Sequence, residues 1–209
     1  MQLQRVRGAS VRAAMDLRGK RFLVTGATGG IGGALAATLR DRGARVVVHG
    51  RSPARLAALA DAGFETIDGA LDSDGATARL AARVLVGGPL DGLVNNAAIQ
   101  TLADFRADGD IDGQLAAIDQ ELAVNLRAPI HLTRRLLPTL LARPDAAIVN
   151  ISSGLALVPK QSAPVYCATK AALHSFSTSL RWQLAGSSVR VFEALPPIVD
   201  TAMTAGRGR

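Results

Sequence analysis

From residue 21 to residue 195, short β-branched runs alternate with longer Ala/Leu-rich stretches, and this alternation constrains the fold more than any other feature. Residues 21–25 (RFLVT), 44–49 (ARVVVH), 64–67, 90–95, 146–152 and 189–195 read as strands. Between them lie helical stretches at 31–42, 53–62, 75–86, 114–140 and 165–185. The first carries Leu35, Thr38 and Leu39 on one side, the second has Pro53 well placed in its first turn, and the long one is expected to be kinked or divided at Pro129. Strands separated by helices of this length form βαβ units, and hence a parallel sheet covered on both faces. No internal repeat, low-complexity stretch or linker breaks the pattern, so one doubly wound domain is expected.

Composition narrows the classes. At 209 residues and 48% hydrophobic, the chain has apolar material for one buried core. It has no apolar run near the length of a membrane span. Residues 1–14 carry arginines but no apolar core, so they are not a secretory signal and resemble a transit peptide only weakly. We expect residues 1–16 to be a disordered lead-in, or sequence ahead of a second start at Met15, and residues 17–209 to be the domain. The single cysteine, Cys167, rules out an internal disulfide and a cysteine-built metal site, and fits a reducing cytoplasm. The net charge of +7 would permit nucleic-acid contact. Yet five arginines (5, 7, 12, 207 and 209) sit in the tails, the rest are scattered, and aromatics make up only 3%. A basic surface that favours phosphate-bearing ligands is the better expectation; no nucleic-acid partner is expected.

The first strand runs straight into Thr25-Gly26-Ala27-Thr28-Gly29-Gly30-Ile31-Gly32, which opens a helix. Glycines let backbone turn tightly against a pyrophosphate, and the free N–H groups of a helix start hold its charge. Such a turn alone would equally serve as a plain strand–helix connection. After strand two, where dinucleotide folds place an acid on the ribose 2′-OH, this chain has His49-Gly50-Arg51-Ser52. Arg51 and Ser52 suit a 2′-phosphate, which favours NADP over NAD, although a surface arginine would read the same. Tyr166 and Lys170 are four apart on a helix and share one face. An ammonium beside a phenol lowers its pKa, which would bring Tyr166 into range as a general acid/base. Ser153 lies just beyond strand five.

These stretches, with LVNNAA (93–98), VNL (124–126), IVNISSG (148–154), YCATK (166–170) and PPIVDTAM (196–203), resemble the classical short-chain dehydrogenase/reductase family in order and spacing. NISSGLALVPKQSAPVYCATKAALHSFSTSLRWQL and the double proline of LPPIVDT are similar to its DltE-like oxidoreductase subgroup. The resemblance implies a Rossmann-type sheet of order 3-2-1-4-5-6 in an αβα sandwich. It also implies an NAD(P)-dependent oxidoreductase that moves hydride between a nicotinamide dinucleotide and a carbonyl or alcohol. Carried over, Tyr166 is the acid/base and Lys170 binds the nicotinamide ribose and depresses the tyrosine pKa. Ser153, rather than Ser152, holds the substrate carbonyl, and Asn125 holds a water in the proton relay. Gly26, Thr28, Gly29, Gly30 and Ile31 form the pyrophosphate turn. Asn95 and Ala97 pass the cofactor, with Pro196 and Val199 at the nicotinamide. A homodimer or homotetramer formed through the helices at 114–140 and 165–185 is implied as well.

Departures from the family pattern are Ala98 and Pro197, each where glycine is usual, and Ala70 where an adenine-side Asp is usual; Asp68 and Asp72 flank it. The family usually continues some 40 residues further, over the substrate, so the chain is short for it. A non-catalytic dinucleotide-binding sensor or scaffold is therefore the alternative, though a complete Asn125/Ser153/Tyr166/Lys170 set speaks against it. His174 and Trp182 are expected to pack in the core or at an interface, Cys167 to be a small packing residue, and His49 and His131 to bind no metal.

Overall fold

The computed structural model describes residues 14–106 and 109–197. Six parallel strands, β1 (Arg21–Val24), β2 (Arg45–Gly50), β3 (Glu65–Asp68), β4 (Gly92–Asn95), β5 (Ala146–Ile151) and β6 (Val189–Ala194), form one sheet of order β3-β2-β1-β4-β5-β6. Alternate side chains leave opposite faces of each strand. Leu23, Val47, Leu93 and Ile148 therefore pack one way, against Leu80 and Val84 of α3 (Asp74–Val86), Leu132, Leu136 and Leu140 of α5 (Ala128–Leu141) and Leu180 of α6 (Pro164–Gln183). Phe22, Val24, Val46, Val48 and Val94 pack the other way, against Ala36 of α1 (Gly30–Asp41) and Leu56 of α2 (Pro53–Asp61). Three layers result, with the expected strand order.

Local chemistry sets the helix starts. Pro53 stands in the first turn of α2, as expected, behind the Ser52 cap. Ser73 accepts the Ala76 N–H (3.2 Å) to start α3, and Asp110 accepts the Gly113 N–H (2.9 Å) to start α4 (Ile111–Leu122). The long helix departs from expectation in where it divides. The break is a π-helical stretch, Ala123–Arg127, one turn before Pro129, with the Ala128 N–H reaching back to the Ala123 carbonyl. Pro129 itself sits in the first turn of α5. It brings no N–H to the Asn125 carbonyl four residues back, so the α-helical ladder cannot close there.

Opposite the strands' carboxyl ends, the sheet is tied by ions. Asp91 is bonded to the Arg21 N–H (2.9 Å) and to Arg143 (2.8 Å), with Lys20 at 3.6 Å. Arg21, buried, pairs with Glu65 and donates to the Val84 and Gly88 carbonyls. Asp145 pairs with Arg190 (2.9 Å). The cations beside Asp91 and the Arg21 N–H lower its carboxyl pKa against the opposing effect of burial. Among the described residues no helix is long and apolar enough to cross a membrane.

Candidate active site

Every loop at the carboxyl ends of the strands contributes to one cavity of about 720 Å³. β1 supplies the glycine turn. Gly26 has φ +65°, and a Cβ there would lie 2.7 Å from the Ala97 Cα; one on Gly32 would strike the Asn96 side chain. Asn96 braces this approach by donating to the Thr25 (2.9 Å) and Gly26 (3.1 Å) carbonyls, while Thr25 Oγ1 accepts the Asn96 and Ala97 N–H groups. Gly26, Thr28, Gly29, Gly30, Ile31 and Ala97 all line the cavity.

The β2 loop brings Arg51 and Ser52 to the wall, and with them Arg55 from α2. A Cβ on Gly29 would be 3.9 Å from the Arg55 guanidinium, so this cation reaches over the glycine turn. Burial lowers the pKa of neighbouring His49 to about 4, which leaves it neutral at this wall; its Nε2 bonds the Gly69 carbonyl at 3.1 Å. Of the three residues at the β3 loop, Ala70 and Asp72 line the cavity, while Asp68 is paired with Arg83 (3.0 Å).

At the other end stand Ser153, Tyr166 and Lys170, with Ile99, Gln100, Gln120, Val124, Leu155 and Val158 around them and Pro196 and Pro197 beyond β6. Lys170 Nζ lies 5.5 Å from the centre of the Tyr166 ring and donates to the Ile151 carbonyl (2.9 Å). Burial drives its pKa down to about 8. Tyr166 moves the other way from the expected fall. Burial holds its phenol above the ordinary value, and the hydrogen bond from Ser153 opposes this without outweighing it. The ammonium was expected to win; Tyr166 is itself buried, and the loss of water around its phenol is the larger effect.

Two expected site residues face elsewhere. Asn95 turns into the protein, donating to Asn150 (2.8 Å) and Thr133 (3.3 Å), and Asn96 takes its place at the wall. The buried Asn125 holds Ile99 by both backbone groups (2.8 Å each) and also donates to Thr169. Val199 lies outside the described residues. His174, expected to pack, is hydrogen-bonded through Nδ1 to Glu193 of β6 (2.8 Å), and Trp182 is 72% exposed on this chain. Cys167 is buried, its sulfur accepting the Lys160 N–H. Sequence reading passed over Asn96, Arg55 and Glu121; only the place of Arg55, one turn after Ser52, was a signal it could have used. No cluster of three metal-ligating residues occurs among the described residues.

Residues 20–209 match the family model described as short chain dehydrogenase. The chain is 42% identical over 193 residues to the uncharacterized oxidoreductase DltE of Bacillus subtilis, covering 90% of this chain and 75% of that protein. It is 36% identical over 196 residues to an L-xylulose reductase of Caenorhabditis elegans, covering 91% of this chain and 76% of that protein. Its fold is similar to the crystal structure of a 3-oxoacyl-(acyl-carrier-protein) reductase of Agrobacterium tumefaciens with NADP bound. The TM-score is 0.80 at 35% identity, covering 91% and 74% of the two chains.

Proposed function

Because the chain belongs to the short-chain dehydrogenase family and is an NAD(P)-dependent oxidoreductase, we propose that it reduces a ketone or aldehyde with NADPH, using Tyr166 as proton donor. One observation carries this reading: Ser153, Tyr166 and Lys170 converge in the cavity that also holds the glycine turn. The residues fit a dinucleotide. The turn packs so closely on Asn96 and Ala97 that Gly26 and Gly32 have no room for a Cβ, and it opens α1, whose first N–H groups would hold a pyrophosphate. Arg51, Ser52 and Arg55 gather where a 2′-phosphate would be held.

When bound, the reduced nicotinamide supplies the hydride that forms the new C–H bond. Ser153 holds the substrate oxygen, and as the C=O π bond breaks onto that oxygen, Tyr166 delivers the phenolic proton to it. The raised pKa of Tyr166 keeps that proton in place at neutral pH, which suits the reductive direction. Lys170 stabilises the phenolate left behind. Asn125 positions Ile99 by its side chain, and its carbonyl, denied an α-helical donor by Pro129, is the group to hold the relay water. Assembly through α4, α5 and α6 is supported by exposed Leu115, Leu122 and Trp182, and a reducing cytoplasm by the unpaired Cys167.

The test is a panel of ketones and aldehydes followed at the NADPH absorbance. Tyr166→Phe should lower turnover by roughly 10³-fold while leaving NADPH binding, read by fluorescence titration, largely intact. Retained turnover would sink the assignment.

A further inference from the structure

Glu121 is a fully buried acid that this scheme does not use. It stands in the last turn of α4, four residues before Asn125 in the π-helical stretch that follows, so both stand on one face. Its Oε2 accepts the Thr101 N–H at 3.3 Å, while Asn125 grips Ile99. Together they pin residues 99–101, whose Ile99 and Gln100 line the cavity. Asn125 also donates to Thr169 (3.3 Å), the neighbour of Lys170 on α6, and Lys170 is 2% exposed. A charge removed from water is costly unless an opposite charge is near, and the low local dielectric strengthens their coupling. The charge of Glu121 acts on both Lys170 and Tyr166.

We propose that Glu121 is a positioning residue of the proton-transfer site: the buried anion that keeps Lys170 an ammonium and seats the cavity wall at 99–101. This rests on the reading that Tyr166 exchanges the proton. The titratable groups that act on the pair are Cys167 on the same helix and Glu121 from α4. His174, one turn on, is bonded to Glu193 of β6. Removing a nearby negative charge eases proton loss from Tyr166 and Lys170 alike, so each apparent pKa of the pair moves down.

Tyr166 is the chain's one tyrosine, so its phenolate can be titrated by near-ultraviolet absorbance without any turnover assay. In Glu121→Gln the midpoint should fall by about one pH unit, and the high-pH limb of carbonyl reduction with it. Glu121→Asp should restore both. An unchanged midpoint in a Glu121→Gln protein that keeps wild-type circular dichroism and NADPH affinity overturns the proposal. Should that variant be too unstable to titrate, the stability it loses is compared in wild-type and Lys170→Met backgrounds. A smaller loss in the Lys170→Met background supports the pairing, and equal losses overturn it. Wild-type protein that turns over no carbonyl substrate would instead defeat the functional reading, and the titration would still stand by itself.

Discussion

The two ends of this parallel sheet differ in how they treat charge, although Asp68 at the end of β3 is paired with Arg83. At the amino ends of the strands, Lys20, Arg21, Glu65, Asp91, Arg143, Asp145 and Arg190 are paired with one another. At the carboxyl ends, Arg51, Arg55 and Lys170 enter no ion pair within 4 Å among the described residues. A paired ion needs nothing further, so the amino end serves the fold. Arg51 and Arg55, left without an ion partner at the cavity wall, are best satisfied by an anionic ligand, while Lys170 is dehydrated enough to titrate at about 8 and so weakens the fold. The difference separates residues that hold the sheet from residues that line the cavity.

The largest effect is expected at the paired end. Asp91→Ala leaves the Arg21 N–H and two cations without their shared acceptor and should destabilise by about 3 kcal/mol in urea unfolding, with NADPH affinity unchanged. Because the folded pKa of Asp91 lies below its unfolded value of about 3.8, its contribution is present above that pH and is lost as pH falls through the folded pKa. Wild type should therefore show an acid-side loss that Asp91→Ala lacks.

The open end should respond at the other extreme of pH. The folded pKa of Lys170 is depressed, so between pH 8 and 10 the unfolded chain binds the extra proton and stability rises with pH. Relative to Lys170→Met, wild type should gain roughly 2 kcal/mol over that interval. No gain would mean that Lys170 does not carry the cost of burial. The smallest effect is at the cavity rim. Arg51→Ala should weaken NADPH binding about tenfold, or about 1.4 kcal/mol, and leave NADH unaffected. Equal loss for both cofactors would reduce Arg51 to a general surface charge.

What could be read from the sequence was local. The strand–turn–helix around Gly26 and the i,i+4 face shared by Tyr166 and Lys170 depend on neighbours within one turn, and the alternation of elements fixed the sheet class. What escaped depends on distant partners. Arg21 finds Glu65 44 residues away, Asn96 reaches back to Thr25, and Glu121 accepts a backbone N–H from 20 residues before it. Asp72 could not be told from Asp68 until Arg83 was seen to claim the latter. The phenol's direction of shift was misjudged because helix spacing reports a nearby lysine but says nothing of how dry the site is.

The grip of Asn125 on Ile99 has a further consequence. One amide offers a peptide unit the same donor and acceptor that a neighbouring strand would, so residues 99–101 are held as though the sheet continued past β4. Because that hold is on backbone, the Ile99 side chain can be exchanged without moving the wall. Ile99 is thus a replaceable lining on a fixed frame, and its substitution is expected to change which carbonyl compounds are turned over while folding stays as it is.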